Sequence, residues 1–298
     1  MARTRDPAAN RAVDLAYDVA GVGPPVVLIH AGLADRRMWE HQFAALSTRF
    51  RVVRYDWRGY GESSDATAEV AHHEDLLALM DTLDIDRATL VGSSYGGAYA
   101  VDAALTAPDR VTSLALICPG MSGHTWPPEM GAPIRERVRA AIPADRSQSY
   151  QAGTATHVDP DDLEVMAEAQ IRYMVVGPDR MPSDLEPRVW EQSMQMCRAL
   201  FRRQWTSGGP AKVRMTEPPA KGRLAEITTP TLVVNGLADV PYIQQVAHLY
   251  VAGIPGAERI DLPDTGHLPP LERPAEVTRL LADFLDPSRT HHHQRLDR

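Results

Sequence analysis

Two kinds of residue are scarce in this 298-residue chain, which has two cysteines and two lysines. Cys118 and Cys197 lie far apart and lack the Cys/His spacing of a zinc site, so two free thiols are expected, with no disulfide framework and no metal. Arginine stands in for lysine almost throughout, a bias without functional content. There is no excess of basic charge. The formal net charge is -8 and the sequence pI about 5.8, which leaves attraction to nucleic acid or anionic lipid without a source. An apolar run of membrane-spanning length is also missing. The first twenty residues carry charges throughout and have no apolar stretch of the kind a secretory leader needs, so a cytoplasmic location is the expectation. Internal repeats and low-complexity tracts are lacking as well.

What is present is a rhythm. Short apolar runs at 12–19, 25–30, 51–56, 88–92 and 111–118 read as strands, and 39–46, 69–83 and 95–104 carry the three- and four-residue spacing of core-facing helices. That alternation belongs to a mainly parallel twisted sheet flanked by helices, an α/β fold. It stops after Cys118 and resumes with strands at 231–235 and 259–262 and helices at 242–251 and 275–284. The division expected is therefore a core of residues 10–122 and 224–288, a helical cap over 123–223 rich in Pro, Arg, Met and Trp, and a polar tail at 289–298. The His291-His292-His293 run falls in that tail and is read as tail, not as a metal site.

The chemistry is expected at Gly92-Ser93-Ser94-Tyr95-Gly96. A strand runs directly into this G-x-S-x-G and a helix leaves it, the context of a sharp turn that exposes a serine, with glycines where side chains would collide. Ser94 occupies the nucleophile's position and Ser93 does not. The Tyr95 amide opens the following helix and points to where negative charge would develop. A serine hydroxyl needs a base, and the base an orienting carboxylate. His267 sits in the loop between the last strand and the last helix. His72 and His73, at a helix start, and His248, within a helix, are expected to be solvated surface residues, and His30 to shape the loop after its strand. Asp239 follows the strand at 231–235, at the same sheet edge as Ser94. Asp264 is read as a turn cap, and no acidic residue occupies 118–124. The order Ser, Asp, His results. Gly32 is expected to supply the second oxyanion-binding amide, with Leu33 next in line.

The runs Val26-Val27-Leu28-Ile29-His30-Ala31-Gly32, Tyr55-Asp56-Trp57-Arg58-Gly59-Tyr60-Gly61-Glu62-Ser63, Gly92-Ser93-Ser94-Tyr95-Gly96-Gly97, Pro230-Thr231-Leu232-Val233-Val234-Asn235-Gly236 with Asp239, and Gly266-His267-Leu268-Pro269-Pro270 occur in the order of the α/β-hydrolase superfamily, which the chain resembles over nearly its whole length. Together with Asp35-Arg36-Arg37-Met38-Trp39, they look most like serine esterases and lactonases of the 3-oxoadipate enol-lactone hydrolase type. The resemblance implies hydrolysis of a small apolar ester or lactone without a cofactor. It also implies a helical lid between core strands six and seven. Asp56 and Arg58 read as turn-stabilising. Ala31 departs from the usual His-Gly pair, and Leu268 replaces the Trp usual in carbon-carbon bond hydrolases. Serine in the elbow argues against epoxide hydrolases and haloalkane dehalogenases, which need a carboxylate there. A ligand receptor without turnover and a lyase or cyclase on the same fold are the alternatives. A homodimer is compatible with the sequence.

Overall fold

The computed structural model describes residues 14–66 and 69–286, so the expected tail at 289–298 and the ends of the expected core lie outside the described residues. Among those described, β1 (Tyr17–Ala20), β2 (Pro25–Ile29), β3 (Arg51–Tyr55), β4 (Ala88–Ser93), β5 (Val111–Ile117), β6 (Thr231–Gly236) and β7 (Glu258–Leu262) form one sheet. Its order is β1-β3-β2-β4-β5-β6-β7, with β1 antiparallel to β3 and every other pairing parallel. The inner strands are apolar on both faces, as a sheet covered on both sides requires. Along β2, Val26 and Leu28 enter one apolar cluster while Val27 and Ile29 enter the other.

Helices α1 (Glu40–Leu46), α2 (His72–Thr82) and α3 (Tyr95–Thr106) interleave with the first strands. The segment between β5 and β6 holds α4 (Ala132–Ala141), α5 (Ala144–Gln151), α6 (Pro160–Gln170) and α7 (Pro187–Thr206), and after it come α8 (Pro241–Gly253), α9 (Pro269–Glu272) and α10 (Pro274–Phe284). Phe43 and Leu46 of α1 share a cluster with Val277 and Leu281 of α10 on one face of the sheet. Leu76, Leu79 and Met80 of α2, Tyr99 of α3 and Tyr250 of α8 cover the other. In this chain's own count the helical insertion thus falls between the fifth and sixth strands.

The insertion is joined to the core by packing. Ile171, Val175, Met194 and Cys197 belong to the same buried cluster as Val26 and Leu28. Farther out, Ile142, Tyr150, Leu163 and Trp205 make a cluster of their own, with the Tyr150 and Trp205 rings stacked at 4.0 Å. Helix α2 begins at His72, three residues later than the periodicity suggests. The backbone of Val70 is engaged instead in a parallel bridge to Val213, where the insertion returns to the core. No helix among the described residues is long and apolar enough to cross a membrane.

Candidate active site

The order of the sheet reverses between β2 and β4, because the chain leaves β2 for β3 on one side and returns to β4 on the other. Loops leaving the carboxyl ends of strands at such a reversal diverge and open a crevice. The loop with Gly32 follows β2 and Ser94 follows β4, so both border that crevice.

Ser94 has φ 55° and ψ -124°, a left-handed region that costs a non-glycine residue roughly 1–3 kcal/mol. The strain is held by the surroundings: Ser94 N–H donates to Ile117 O at 3.0 Å, and Ser94 O accepts from Gly97 and Gly120 N–H at 2.9 and 2.8 Å. The turn leaves no room at either flanking glycine. A Cβ on Gly92 would lie 2.3 Å from Gly96 O, and one on Gly96 would lie 2.4 Å from His30 O. Ser93 Oγ, by contrast, is buried without a partner among the described residues.

The structure brings Ser94, His267 and Asp239 together. His267 Nδ1–H donates to Asp239 Oδ2 at 2.7 Å, and Nε2 lies 2.9 Å from Ser94 Oγ. A carboxylate only accepts, so Nδ1 carries the proton and Nε2 is the free base facing the hydroxyl. The other oxygen of Asp239 accepts from Val240 N–H at 2.6 Å, at the entrance to α8. All three residues are buried. Asp264 sits exposed at a turn with φ 48° and makes no bond to His267.

The amide of Tyr95 stands at the first position of α3, where helical N–H groups have no intrahelical partner. In the loop after β2, Ala31 N–H is taken by Met38 Sδ at 3.3 Å, which leaves Gly32 as the next amide. Neither Tyr95 nor Gly32 N–H has an acceptor among the described residues. The two residues are neighbours through the Tyr95 side chain, since a Cβ on Gly32 would touch its ring at 3.3 Å. His30 fixes this loop: its Nδ1–H donates to Ala31 O at 2.9 Å and its Nε2 accepts from Trp57 N–H at 3.1 Å, with the two rings stacked at 4.1 Å. Burial holds His30 below its ordinary pKa, consistent with a neutral ring having one donor and one acceptor.

Asp56 and Arg58 lie in turns, as expected. Asp56 accepts from Arg36 N–H at 2.8 Å and Glu62 N–H at 2.9 Å and pairs with the Arg36 guanidinium, while Arg58 holds Asp75 through two bonds of 2.8 and 3.1 Å.

Two features were not legible. His72 and His73, expected to be solvated, are each 2% exposed, a correction to the sequence reading. They are covered by the returning insertion, whose nearness to α2 no local pattern announces. The second is Arg180, in the insertion. It pairs with Glu272 at 2.6 Å and donates to the carbonyls of Asp264, Val176 and Val175, while Glu272 accepts from Gly266 N–H at 3.1 Å. Arg180 thereby ties the insertion to the loop that carries His267. Behind His267, Cys118 Sγ faces Gly266 O at 3.8 Å, with its ligand atom and those of Asp239 and His267 all within 4.8 Å of one another. Burial pushes the thiol pKa well up, which favours the protonated form.

The sequence pattern described as alpha/beta hydrolase fold matches residues 24–274. Among curated proteins, an "Epoxide hydrolase" of Caballeronia sordidicola is 27% identical over 321 residues, covering 93% of this chain and 92% of that one. The "Bifunctional epoxide hydrolase 2" of Sus scrofa is 26% identical over 92% of this chain, which spans 53% of that protein's length. Among solved structures, a thermophilic esterase from Thermogutta terrifontis superposes with a TM-score of 0.70 at 27% identity, covering 92% of this chain and 93% of that one. An enol-lactonase from Burkholderia xenovorans LB400 gives 0.67 at 26%, covering 92% and 98%. By its sheet order, its strand-turn-helix geometry and the extent of the sequence match, the chain belongs to the alpha/beta hydrolase fold family.

Proposed function

We propose that the chain hydrolyses a carboxylic ester or lactone, with Ser94 as nucleophile, His267 as base and then acid, Asp239 as the group that orients His267, and the Tyr95 and Gly32 amides as oxyanion donors. The observation that carries this reading is the continuous relay of Asp239, His267 and Ser94 at 2.7 and 2.9 Å on a strained turn. Ser94 Oγ attacks the carbonyl carbon as its proton passes to His267 Nε2. The oxygen, now negative, accepts from the two amides, which have no other acceptor among the described residues. Collapse breaks the bond to the leaving oxygen, which takes the proton from His267. Water then attacks the acyl-serine, His267 removes its proton, and the acid departs as Ser94 Oγ is reprotonated. In a lactone, the leaving oxygen stays tethered to the acyl chain throughout and departs as the hydroxyl of the product hydroxy acid.

Two relatives are named epoxide hydrolases, yet the nucleophile here is a hydroxyl. Attack by a serine oxygen on an epoxide carbon would form an ether, with no carbonyl for water to attack afterwards. A carboxylate nucleophile would leave an ester that water can open. The serine therefore supports acyl transfer. In the same reading, residues 123–223 form the lid that walls the crevice with apolar side chains.

A fluorophosphonate probe followed by mass spectrometry, and an ester and lactone panel run on wild type and Ser94→Ala, test this. We expect the label on Ser94 and a fall in kcat of roughly 10³ to 10⁶ in the variant. Labelling elsewhere, or undiminished turnover by Ser94→Ala, overturns it.

A further inference from the structure

A cavity of about 250 Å³ opens between the core and the returning end of the insertion, and it begins one residue from Ser94, at Tyr95. One side of it is aromatic. Trp57, Tyr60, Tyr95 and Tyr99 line it, and Met215 closes it from the insertion side. The rings form one packed set: Trp57 meets Tyr99 edge-on at 4.8 Å and Tyr60 at 5.0 Å, and Tyr95 lies nearly parallel to Tyr99 at 6.3 Å. Because Trp57 also stacks on His30, the cavity wall is continuous with the loop that presents the Gly32 amide.

Two buried side chains in this lining carry a polar atom without a partner among the described residues, Trp57 at Nε1 and His72 at Nδ1, and only the imidazole can both donate and accept. His72, 2% exposed, sits between Trp57 and Tyr99 at ring distances of 5.2 and 4.8 Å. Its Nδ1 has no hydrogen-bond partner among the described residues. A buried polar atom without a partner costs roughly 1–3 kcal/mol, so a ligand group that could bond the imidazole would find it uncommitted. Desolvation lowers the His72 pKa to about 3, which leaves a neutral ring with one donor and one acceptor. The charged groups of the lining are already matched: Arg58 holds Asp75, and Asp65 accepts from Arg203 at 2.6 Å. An anionic ligand would find no free cation there.

We propose that this cavity receives a neutral aromatic ring bearing a hydroxyl group, which exchanges a hydrogen bond with the His72 imidazole, as the non-reacting part of the substrate. The proposal rests on Ser94 acting as the nucleophile. The flat aromatic side selects a planar ring, and His72 selects a hydroxylated ring over a bare hydrocarbon. The missing cation selects against an aryl carboxylate. His72 is on this view a specificity residue that does not touch the reacting atoms.

Calorimetric titration of Ser94→Ala with 2-naphthol, naphthalene and 2-naphthoate tests the site without any turnover. We expect 2-naphthol to bind about tenfold more tightly than either of the others. His72→Phe, which keeps a ring of similar shape, should remove the preference and leave naphthol no better than naphthalene. Val213→Trp, placed on the exposed rim and harmless to the core, should weaken all three by filling the cavity. Equal binding of naphthol and naphthalene, a preference that survives His72→Phe, or indifference to Val213→Trp overturns the proposal. Failure of the ester-hydrolase reading registers separately, as the absence of a label on Ser94, and does not alter these titrations.

Discussion

At the scale of single residues, the site depends on atoms that are missing as much as on those present. Gly96 packs so closely under His30 O and Ile29 O that an alanine Cβ would stand 2.4 and 2.5 Å from them. Gly96→Ala should therefore destabilise the fold by about 3 kcal/mol, at the upper end of ordinary overpacking, and abolish fluorophosphonate labelling. Gly222→Ala, where a Cβ meets nothing within 4 Å, should leave the urea midpoint where it is. Equal midpoints for the two variants would contradict this account. The residues of the relay were readable because their signals are local: a glycine-bracketed serine after a strand, a histidine before the last helix, an aspartate just past a strand end. His72 was misread for the opposite reason. Its burial is conferred by residues near 213, far away in sequence, and nothing in the run around His72 encodes that contact.

At the scale of elements, the insertion and the loop carrying His267 share a largely buried ion pair. The side chains of Arg180 and Glu272 are 12% and 8% exposed, and both bind backbone groups of the two loops they join. Breaking such a pair from one side leaves an uncompensated buried charge, at a cost of about 3–5 kcal/mol. Arg180→Met and Glu272→Met should each lower stability by about that amount, and the double variant by clearly less than the sum. A urea double-mutant cycle measures this; strict additivity would show that the two side chains act independently. The stretch of the insertion around Arg180 is on this view an anchored part of the site. The strands and flanking helices were legible from periodicity to within a few residues, except that β1 starts at Tyr17 where a strand from residue 12 was expected. The Arg180 tie was not, because arginines and glutamates on solvated faces and in buried pairs look alike in a sequence.

At the scale of the whole molecule, three of the buried histidines shape the response to acid. His30, His72 and His73 all have pKa values lowered mainly by desolvation, from an ordinary value near 6.5. Below that value the unfolded chain takes up protons that the native state refuses, so stability is present above about pH 6.5 and is lost as the pH falls. Each histidine contributes a slope of up to about 1.4 kcal/mol per pH unit. Asp102 acts the other way. Burial raises its pKa, so the native state holds a proton more readily than the unfolded chain, but one carboxyl offsets one histidine at most. The net expectation is a lower urea midpoint at pH 5.5 than at pH 7.5. A midpoint that stays level across that range would mean the three rings are protonated in the native state.

The thiol behind the relay has a consequence for covalent chemistry. Cys118 ends β5 with φ 43°, fully buried, its proton directed at a carbonyl and its ionisation suppressed. Sulfur is ordinarily the softer and faster nucleophile, and a hydroxyl the slower one. Here the hydroxyl has a proton acceptor at 2.9 Å while the thiol is denied its charged form, so the usual ranking is inverted within a single site. On the proposed reading, an electrophile entering the crevice meets two nucleophiles sorted by where their protons can go, and it reacts at oxygen.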